Sequence, residues 1–113
     1  MSDHAWFKEF PGAITVCDTE GVILEMNDAS IEVFRSDGGE KLLGSNLLDC
    51  HPQRAREMLE EMLSNQRANV YTIEKNGKKK MIYQTPWYKD GQYAGFVEFS
   101  LVIPFEMPHF IRE

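Results

Sequence analysis

The stretch that decides the fold is residues 52–65, Pro-Gln-Arg-Ala-Arg-Glu-Met-Leu-Glu-Glu-Met-Leu-Ser-Asn. Proline suits the first position of a helix, where its missing N–H would have no partner. Apolar residues then recur at the spacing of one helical face, while charged residues occupy the other side. The apolar positions are Ala55, Met58, Leu59, Met62 and Leu63. The pattern predicts an amphipathic helix from Pro52 to about Asn65.

The segment before this helix has the pattern of a β-hairpin followed by short helices. Residues 13–17 and 22–26 are short β-rich runs, joined by the turn formers Asp18-Thr19-Glu20-Gly21. Two such runs around a turn predict a pair of antiparallel strands. Residues 29–34 predict one or two helical turns, and the mixed periodicity of residues 40–52 indicates further short helical turns.

The segment after the helix has β patterns throughout. Strands are predicted over residues 69–74, 79–87 and 93–103. Asn76-Gly77 is a strong hairpin signal and joins the first two of them. Because Pro86 cannot donate to a strand ladder, Pro86-Trp87-Tyr88 marks an edge, a bulge or a strand end.

Alternation along the last strand separates two faces of the predicted sheet. One face carries Val97, Phe99, Leu101 and Ile103, and the other carries Phe96, Glu98, Ser100 and Val102. Neither face is wholly polar, so we expect both sides of the sheet to be covered. Two groups of strands separated by helices predict one five-stranded antiparallel sheet with the helices on one face, an α+β fold.

Composition limits the classes of function. The chain has 113 residues and a mass of 13.1 kDa, which fits one domain. Its 12 Lys and Arg against 18 Asp and Glu give a net charge of −6, so nucleic acid is not an expected partner. No apolar run is long enough for a membrane span, and the N-terminus lacks the features of a signal peptide. Cys17 and Cys50 are too far apart for a CxxC motif, so we expect a reduced, cytoplasmic location.

The sequence contains no recognisable catalytic motif. Neither GxSxG nor HExxH nor a phosphate-binding glycine loop occurs. His4, Cys17 and His109 are scattered without the spacing of zinc ligands. The sequence therefore predicts neither an enzyme nor a metal site.

Several short motifs occur in order along the chain: Pro11-Gly12-Ala13-Ile14, Asp18-Thr19-Glu20-Gly21, Asn27 with Ala29, Gly44-Ser45-Asn46-Leu47-Leu48-Asp49 with His51-Pro52, and the strand from Gly91 to Ile103. In these motifs and in the order of its elements the chain resembles a PAS domain, a small sensor module of signalling proteins. We expect an amphipathic arm (residues 1–10), a PAS-like domain (residues 11–103) and a proline-containing tail (residues 104–113). The string Asp49-Cys50-His51-Pro52 is similar to a PAS subgroup found beside hemerythrin-like domains.

The resemblance implies a non-enzymatic sensory or interaction module that binds a small molecule or a protein partner and signals through association. It leaves the cofactor unknown. Light-sensing flavin relatives have a cysteine after Gly-x-Asn, whereas here Leu47 follows Gly44-Ser45-Asn46. Haem-binding relatives place an iron-ligating histidine within the long helix, whereas here no histidine follows Pro52 in that helix and His51 precedes it. The resemblance therefore favours neither flavin adduct formation nor haem.

A cavity between the long helix and the sheet is the first candidate ligand site. Met58 and Met62 lie one turn apart on the inward stripe, and apolar walls with a few polar tips are typical of small-molecule pockets. The sheet residues expected to line it are Tyr71 or Ile73, Tyr83, Trp87 and Phe99. The alternative is a filled core, because methionine also fits irregular gaps.

The second candidate site is the pair Cys50-His51. A thiolate assisted by the neighbouring imidazole and the following helix would contact a ligand, or act as a redox or haem sensor. The alternative is structural: Asp49 or His51 caps the helix and Cys50 fills the core.

Apolar residues of the arm suggest an interface. Trp6, Phe7 and Phe10, together with Phe96 and Val102, would form a patch on the outer face of the sheet, and such patches mark interfaces. PAS relatives commonly dimerise through this face, so the resemblance implies a homodimer. The alternative is that the arm folds back on its own sheet.

Overall fold

The computed structural model describes residues 5–50 and 53–113. Its strands are β1 (Ala13–Cys17), β2 (Ile23–Met26), β3 (Asn69–Lys75), β4 (Lys78–Lys89) and β5 (Gln92–Ile103). They form one antiparallel sheet in the order β2-β1-β5-β4-β3. The predicted five-stranded α+β fold is confirmed.

Short helices connect the two groups of strands. In the described residues, the α-helices are α1 (Ala5–Lys8), α2 (Asp28–Val33) and α3 (Gln53–Asn65), and 3₁₀ turns cover Arg35–Asp37, Gly39–Leu42 and Leu47–Cys50. Helix α3 ends at the predicted Asn65, while its predicted first residue, Pro52, lies outside the described residues. The short helical turns predicted between the hairpin and the long helix are confirmed.

The buried core lies around the amino-terminal hairpin and β5. The fully buried apolar side chains are Ala13, Ile14, Cys17, Ile23, Met26, Ile82 and Phe96. No described residue of β3 or α3 reaches the same degree of burial. The core is therefore concentrated at one end of the sheet.

Asn27 joins the hairpin to α2. Its side chain is 1% exposed, and its Oδ1 accepts hydrogen bonds from the N–H of Ile14 (2.9 Å) and of Ser30 (3.0 Å). Its Nδ2 donates to the carbonyl of Gly12 (2.8 Å). One amide thus caps the helix and extends the strand ladder, which fixes α2 against β1.

Strand pairing separates two faces of the sheet. The helix face, on which α2, α3 and the 3₁₀ turns lie, carries Thr15, Gln84 and Glu98. The opposite face, called the arm face here, carries Ile14, Tyr83, Phe99 and Leu101. The Phe10 ring of the arm and the Leu101 side chain both lie over Gly12. The end of the arm, at Phe10, therefore lies close to Leu101 on this face, while Lys8 of α1 forms an ion pair with Asp28 of α2 at 3.1 Å.

Candidate functional site

A cavity of about 550 Å³ lies between α3, the 3₁₀ turns and the helix face. Its polar and charged lining residues are Thr15, Asp37, Tyr71, Gln84 and Glu98. Its apolar lining residues include Cys17, Ile23, Met26, Phe34, Leu42, Leu47, Leu59, Met62, Leu63 and Phe96. Apolar walls with few polar groups are the composition of a small-molecule site. The space that the sequence left as either a cavity or a filled core is a cavity.

A row of polar side chains crosses the sheet wall of this cavity. Asn69, Gln84 and Glu98 are directly opposite one another on β3, β4 and β5, and Thr15 is opposite Glu98 on β1. Asn69 Nδ2 donates to Gln84 Oε1 (3.0 Å), and Gln84 Nε2 donates to Glu98 Oε2 (2.8 Å). Thr15 Oγ1 bonds Ser30 Oγ at 2.6 Å. Each side chain in the row is thereby held in one orientation.

Burial and negative charge perturb two groups of the cavity. Burial raises the pKa of the Cys17 thiol; a hydrogen bond with the backbone of Phe96 acts in the opposite direction, and the charges of Asp18 and Glu98 add to the increase. Burial also raises the pKa of the Tyr71 hydroxyl, with a further increase from Glu98. Both groups remain protonated at neutral pH, so Cys17 is not an activated thiolate.

Three of the predicted ligand-binding residues lie on α3 or β3. Met62 and Tyr71 line the cavity, as placed by the helical stripe and the strand pattern. Met58 is 59% exposed and does not line it. The position of Met58 differs from the prediction because α3 presents its C-terminal half, with Leu59, Met62 and Leu63, to the cavity.

Three other predicted lining residues, Tyr83, Trp87 and Phe99, do not line the cavity. Tyr83 and Phe99 are paired on the arm face, one residue out of phase with Gln84 and Glu98 on the helix face. Trp87 Nε1 donates to the carbonyl of Cys17 (2.9 Å). The predicted placement of these three side chains is wrong because it combined residues from both faces of the strands.

The pair Cys50-His51 stays a prediction. The backbone of Cys50 ends the last 3₁₀ turn, its side chain is not described, and His51 lies outside the described residues. Within residues 5–50 and 53–113, no three His, Cys, Asp or Glu side chains converge as metal ligands would.

The predicted interface residues fall in three places. Phe96 is buried in the cavity wall, and Val102 is exposed on the same helix face, so neither belongs to an arm-face patch. The alternation of β5 explains this correction, because both residues are in phase with Glu98. In the arm, Trp6 packs edge-on against Phe7 and Phe10 and is 64% exposed.

The polar row was not predicted from the sequence. Its members include Thr15, Gln84 and Glu98, of which Glu98 is the one charged residue on the predicted strand face that also carries Phe96, Ser100 and Val102. A lone carboxylate on such a face is the signal that identifies this residue, since burying a charge is costly unless it has a partner or a function.

The fold and the cavity define the class of the protein: an α+β domain whose helices and sheet enclose an apolar space crossed by one polar row. The family model for the PAS fold matches residues 7–103, and the chain belongs to this family. It is a PAS sensory domain in fold. Among curated proteins, no sequence matches the chain.

Several solved structures have a similar fold. A C-terminal domain from Streptococcus mutans superposes with a TM-score of 0.68 at 20% identity, covering 85% of this chain and 78% of that one. The PAS domain of an HTR-like protein from Haloarcula marismortui superposes with a TM-score of 0.62 at 19% identity, covering 88% of this chain and 87% of that one. The PAS domain of Bordetella pertussis BvgS superposes with a TM-score of 0.60 at 25% identity, covering 87% of this chain and 81% of that one. Across the described part of this chain, no helix has the length and apolar character to cross a bilayer.

Proposed function

We propose that this protein is a non-enzymatic sensory module that binds a small, largely apolar molecule between α3 and the helix face. The observation that carries the proposal is the cavity, whose volume of about 550 Å³ lies within the range of small-molecule sites. Well-packed interiors leave few spaces of this size. The oriented polar row supplies the few hydrogen-bonding groups that such a site uses to position its ligand.

The same site offers a way to transmit binding. No described side chain of α3 is fully buried, although Leu59, Met62 and Leu63 all face the cavity. A ligand in the cavity would remove these three side chains from water and stabilise the position of α3 on the sheet. Binding then shifts the conformational equilibrium if the ligand has a higher affinity for the closed position of the helix.

Two tryptophan substitutions on α3 test the ligand function. In Met62→Trp the indole would occupy the cavity, whereas in Met58→Trp it would extend into solvent from the same helix. We expect native mass spectrometry, or a thermal-shift screen with a broad metabolite panel, to detect a ligand for the wild type and for Met58→Trp. Met62→Trp should bind none. A wild type that retains no ligand and shows no thermal shift with any compound would defeat the proposal.

We further propose that the output is a change in homodimerisation through the arm face. Val70 (49% exposed) and Tyr83 (40% exposed) are paired across β3 and β4 on this face, and Phe10 covers only the region of Gly12 and Leu101. A second copy would bury these side chains together with Trp6.

We also propose a cytoplasmic location. The free, buried thiol of Cys17 is consistent with a module that works in the reducing cytoplasm.

The oligomeric state tests this second proposal. Tyr83→Glu would place a charge in the arm face, while Tyr88→Glu makes the same exchange at an exposed residue of the same strand outside that face. Sedimentation equilibrium should show a dimer for the wild type and for Tyr88→Glu, and a monomer for Tyr83→Glu. A monomeric wild type, or equal association of both variants, contradicts the proposal.

A further inference from the structure

In the polar row, the carboxylate of Glu98 is oriented by one hydrogen bond, which it accepts from Gln84. Gln84 is held between two partners, since its Oε1 accepts from Asn69 and its Nε2 donates to Glu98. The amide therefore cannot rotate to present its oxygen to the carboxylate. The second oxygen of Glu98, Oε1, accepts no hydrogen bond from the residues that the structure describes. This oxygen can therefore accept a hydrogen bond from a ligand in the cavity.

The charges at the cavity have one sign. Its charged lining residues are Glu98, on the sheet wall, and Asp37, which is exposed in a 3₁₀ turn. No Lys, Arg or His occurs among the described lining residues. The charge of Glu98 also raises the pKa of both Tyr71 and Cys17, so its field acts across this space. A ligand carboxylate would meet like charge here, whereas an ammonium would meet a counter-ion.

We propose that the cavity selects a cationic amphiphile: an apolar body that fills the space between α3 and the sheet, and a protonated amine that donates to Glu98. This inference rests on the ligand-binding function proposed above and names the chemical class of that ligand. Burying an ammonium group is costly unless a charged or hydrogen-bonding partner compensates for the lost water. Glu98 supplies the charge, and Gln84 fixes the direction in which that charge is presented.

Three compounds that share an indole ring test the class: tryptamine, the neutral alcohol tryptophol and the anion indole-3-propionate. Dissociation constants are measured by isothermal titration calorimetry with the full chain. The wild type should bind tryptamine at least about tenfold more tightly than indole-3-propionate, with tryptophol between them, because complementary charge discriminates between ligands of one shape. Equal affinities, a preference for the anion, or no binding of tryptamine would overturn the inference.

Two variants separate the local carboxylate from the net negative charge of the protein. Glu98→Gln keeps the shape of the side chain and its acceptor for Gln84, but removes the charge. Glu25→Gln makes the same change at an exposed position of β2. Discrimination between tryptamine and indole-3-propionate should fall about tenfold in Glu98→Gln and persist in Glu25→Gln. Loss in both variants, or in neither, contradicts a role for Glu98.

A nuclear magnetic resonance measurement keeps the test independent of how Glu98→Gln folds. In the wild type, tryptamine should shift the side-chain NH₂ signals of Gln84, and those of Asn46, outside the cavity, should stay unchanged. Absence of the Gln84 shift at saturation counts against the inference. If instead neutral apolar compounds bind and Met62→Trp abolishes their binding, the proposed function stands while the amine selectivity is wrong. If no compound of any charge binds, the proposed function itself is wrong.

Discussion

The two ends of the sheet differ in how they are held. At the β2–β1 end, Ile14, Cys17 and Ile23 are fully buried, and Asn27 links both strands to α2 through several short hydrogen bonds. At the opposite end, six of the seven residues of β3 are exposed. Helix α3, which lines the cavity, also has no fully buried residue. Regions with few buried apolar contacts open at low free-energy cost. The β2–β1 end is therefore a fixed support, whereas β3 and α3 can open at a lower free-energy cost.

This difference matches the position of the cavity. Its sheet wall extends from Thr15 and Cys17 at the fixed end to Tyr71 at the open end. A ligand that contacts both ends would have its greatest effect on the end with the weaker packing. Substitutions at the fixed end should thus unfold the whole domain, while those at the open end should change α3 and ligand affinity.

The largest expected effect is that of Gly95→Ala. Gly95 has φ +143°, and a Cβ there would overlap the carbonyl oxygen of Cys17, which also accepts the Trp87 hydrogen bond. Because backbone cannot yield as a side chain does, β1 must separate from β5. We expect a loss of at least about 3 kcal/mol in the free energy of unfolding, measured by urea denaturation.

Gly91→Ala is the matched control for this prediction. Gly91 also has a positive φ, +80°, but no atom lies within 4 Å of its potential Cβ. The substitution should cost about 1 kcal/mol from backbone strain alone. Equal losses in the two variants would show that the close approach of β1 to β5 is unimportant.

The next effect in size concerns two asparagines whose side chains form hydrogen bonds with backbone groups of other residues. Asn27→Ala removes the cap of α2 and leaves the buried N–H of Ile14 and the carbonyl of Gly12 without partners. We expect it to cost about 3 kcal/mol. Asn46 makes similar bonds, to the N–H of Leu48 (2.8 Å) and the carbonyl of Glu20 (3.0 Å), but it is only half-buried.

Asn46→Ala should cost about 1 kcal/mol, because water can replace the lost partners at a half-buried site. Chemical denaturation of both variants gives the comparison. If Asn46→Ala proves as damaging as Asn27→Ala, the degree of burial does not set the free-energy cost of losing these hydrogen bonds.

The sequence contained part of the information needed to place the site. The two-residue turn Asn76-Gly77 fixes the register of β3 and β4, so that Tyr71 lies opposite Ile82. This register alone puts Tyr71 and Tyr83 on opposite faces, because side chains alternate along a strand. The turn chemistry is therefore sufficient to predict that Tyr71 and Tyr83 do not line the same cavity.

The register between β4 and β5 could not be derived in the same way. Near their turn, Tyr88 pairs with Tyr93, but after a bulge Trp87 pairs with Gly95. A slip of one residue exchanges the faces, and it is this bulge that brings Gln84 opposite Glu98. Pro86 indicated a bulge as one of three alternatives. The hydrogen bond from Trp87 Nε1 to the Cys17 carbonyl beside this bulge joins residues that are far apart in the chain, so the local sequence does not specify it.

The smallest expected effect concerns the hydrogen bond that ties α3 to the sheet. Tyr93 Oη donates to the carbonyl of Leu63 at 2.9 Å, near the C-terminal end of α3. Tyr93→Phe should cost about 1 kcal/mol. If the β3 end is the movable one, amide hydrogen exchange should accelerate in α3 and stay unchanged in β1. Uniform acceleration across the domain would mean that α3 unfolds only with the hairpin.

The same residue predicts a dependence on pH. Burial raises the pKa of Tyr93, with smaller increases from Cys17 and Tyr88, so its hydroxyl ionises more readily in the unfolded chain. Its contribution to stability is therefore complete below the unfolded pKa and is lost as the pH rises towards the folded one. Between about pH 8 and about pH 11, stability should fall less steeply in Tyr93→Phe than in the wild type.

Some decline in stability must remain in the variant, because the pKa values of Cys17 and Tyr71 are also raised. If stability falls equally steeply with pH in the two proteins, the Tyr93 hydroxyl is as well solvated in the folded protein as in the unfolded chain. Its hydrogen bond to Leu63 then does not stabilise the position of α3.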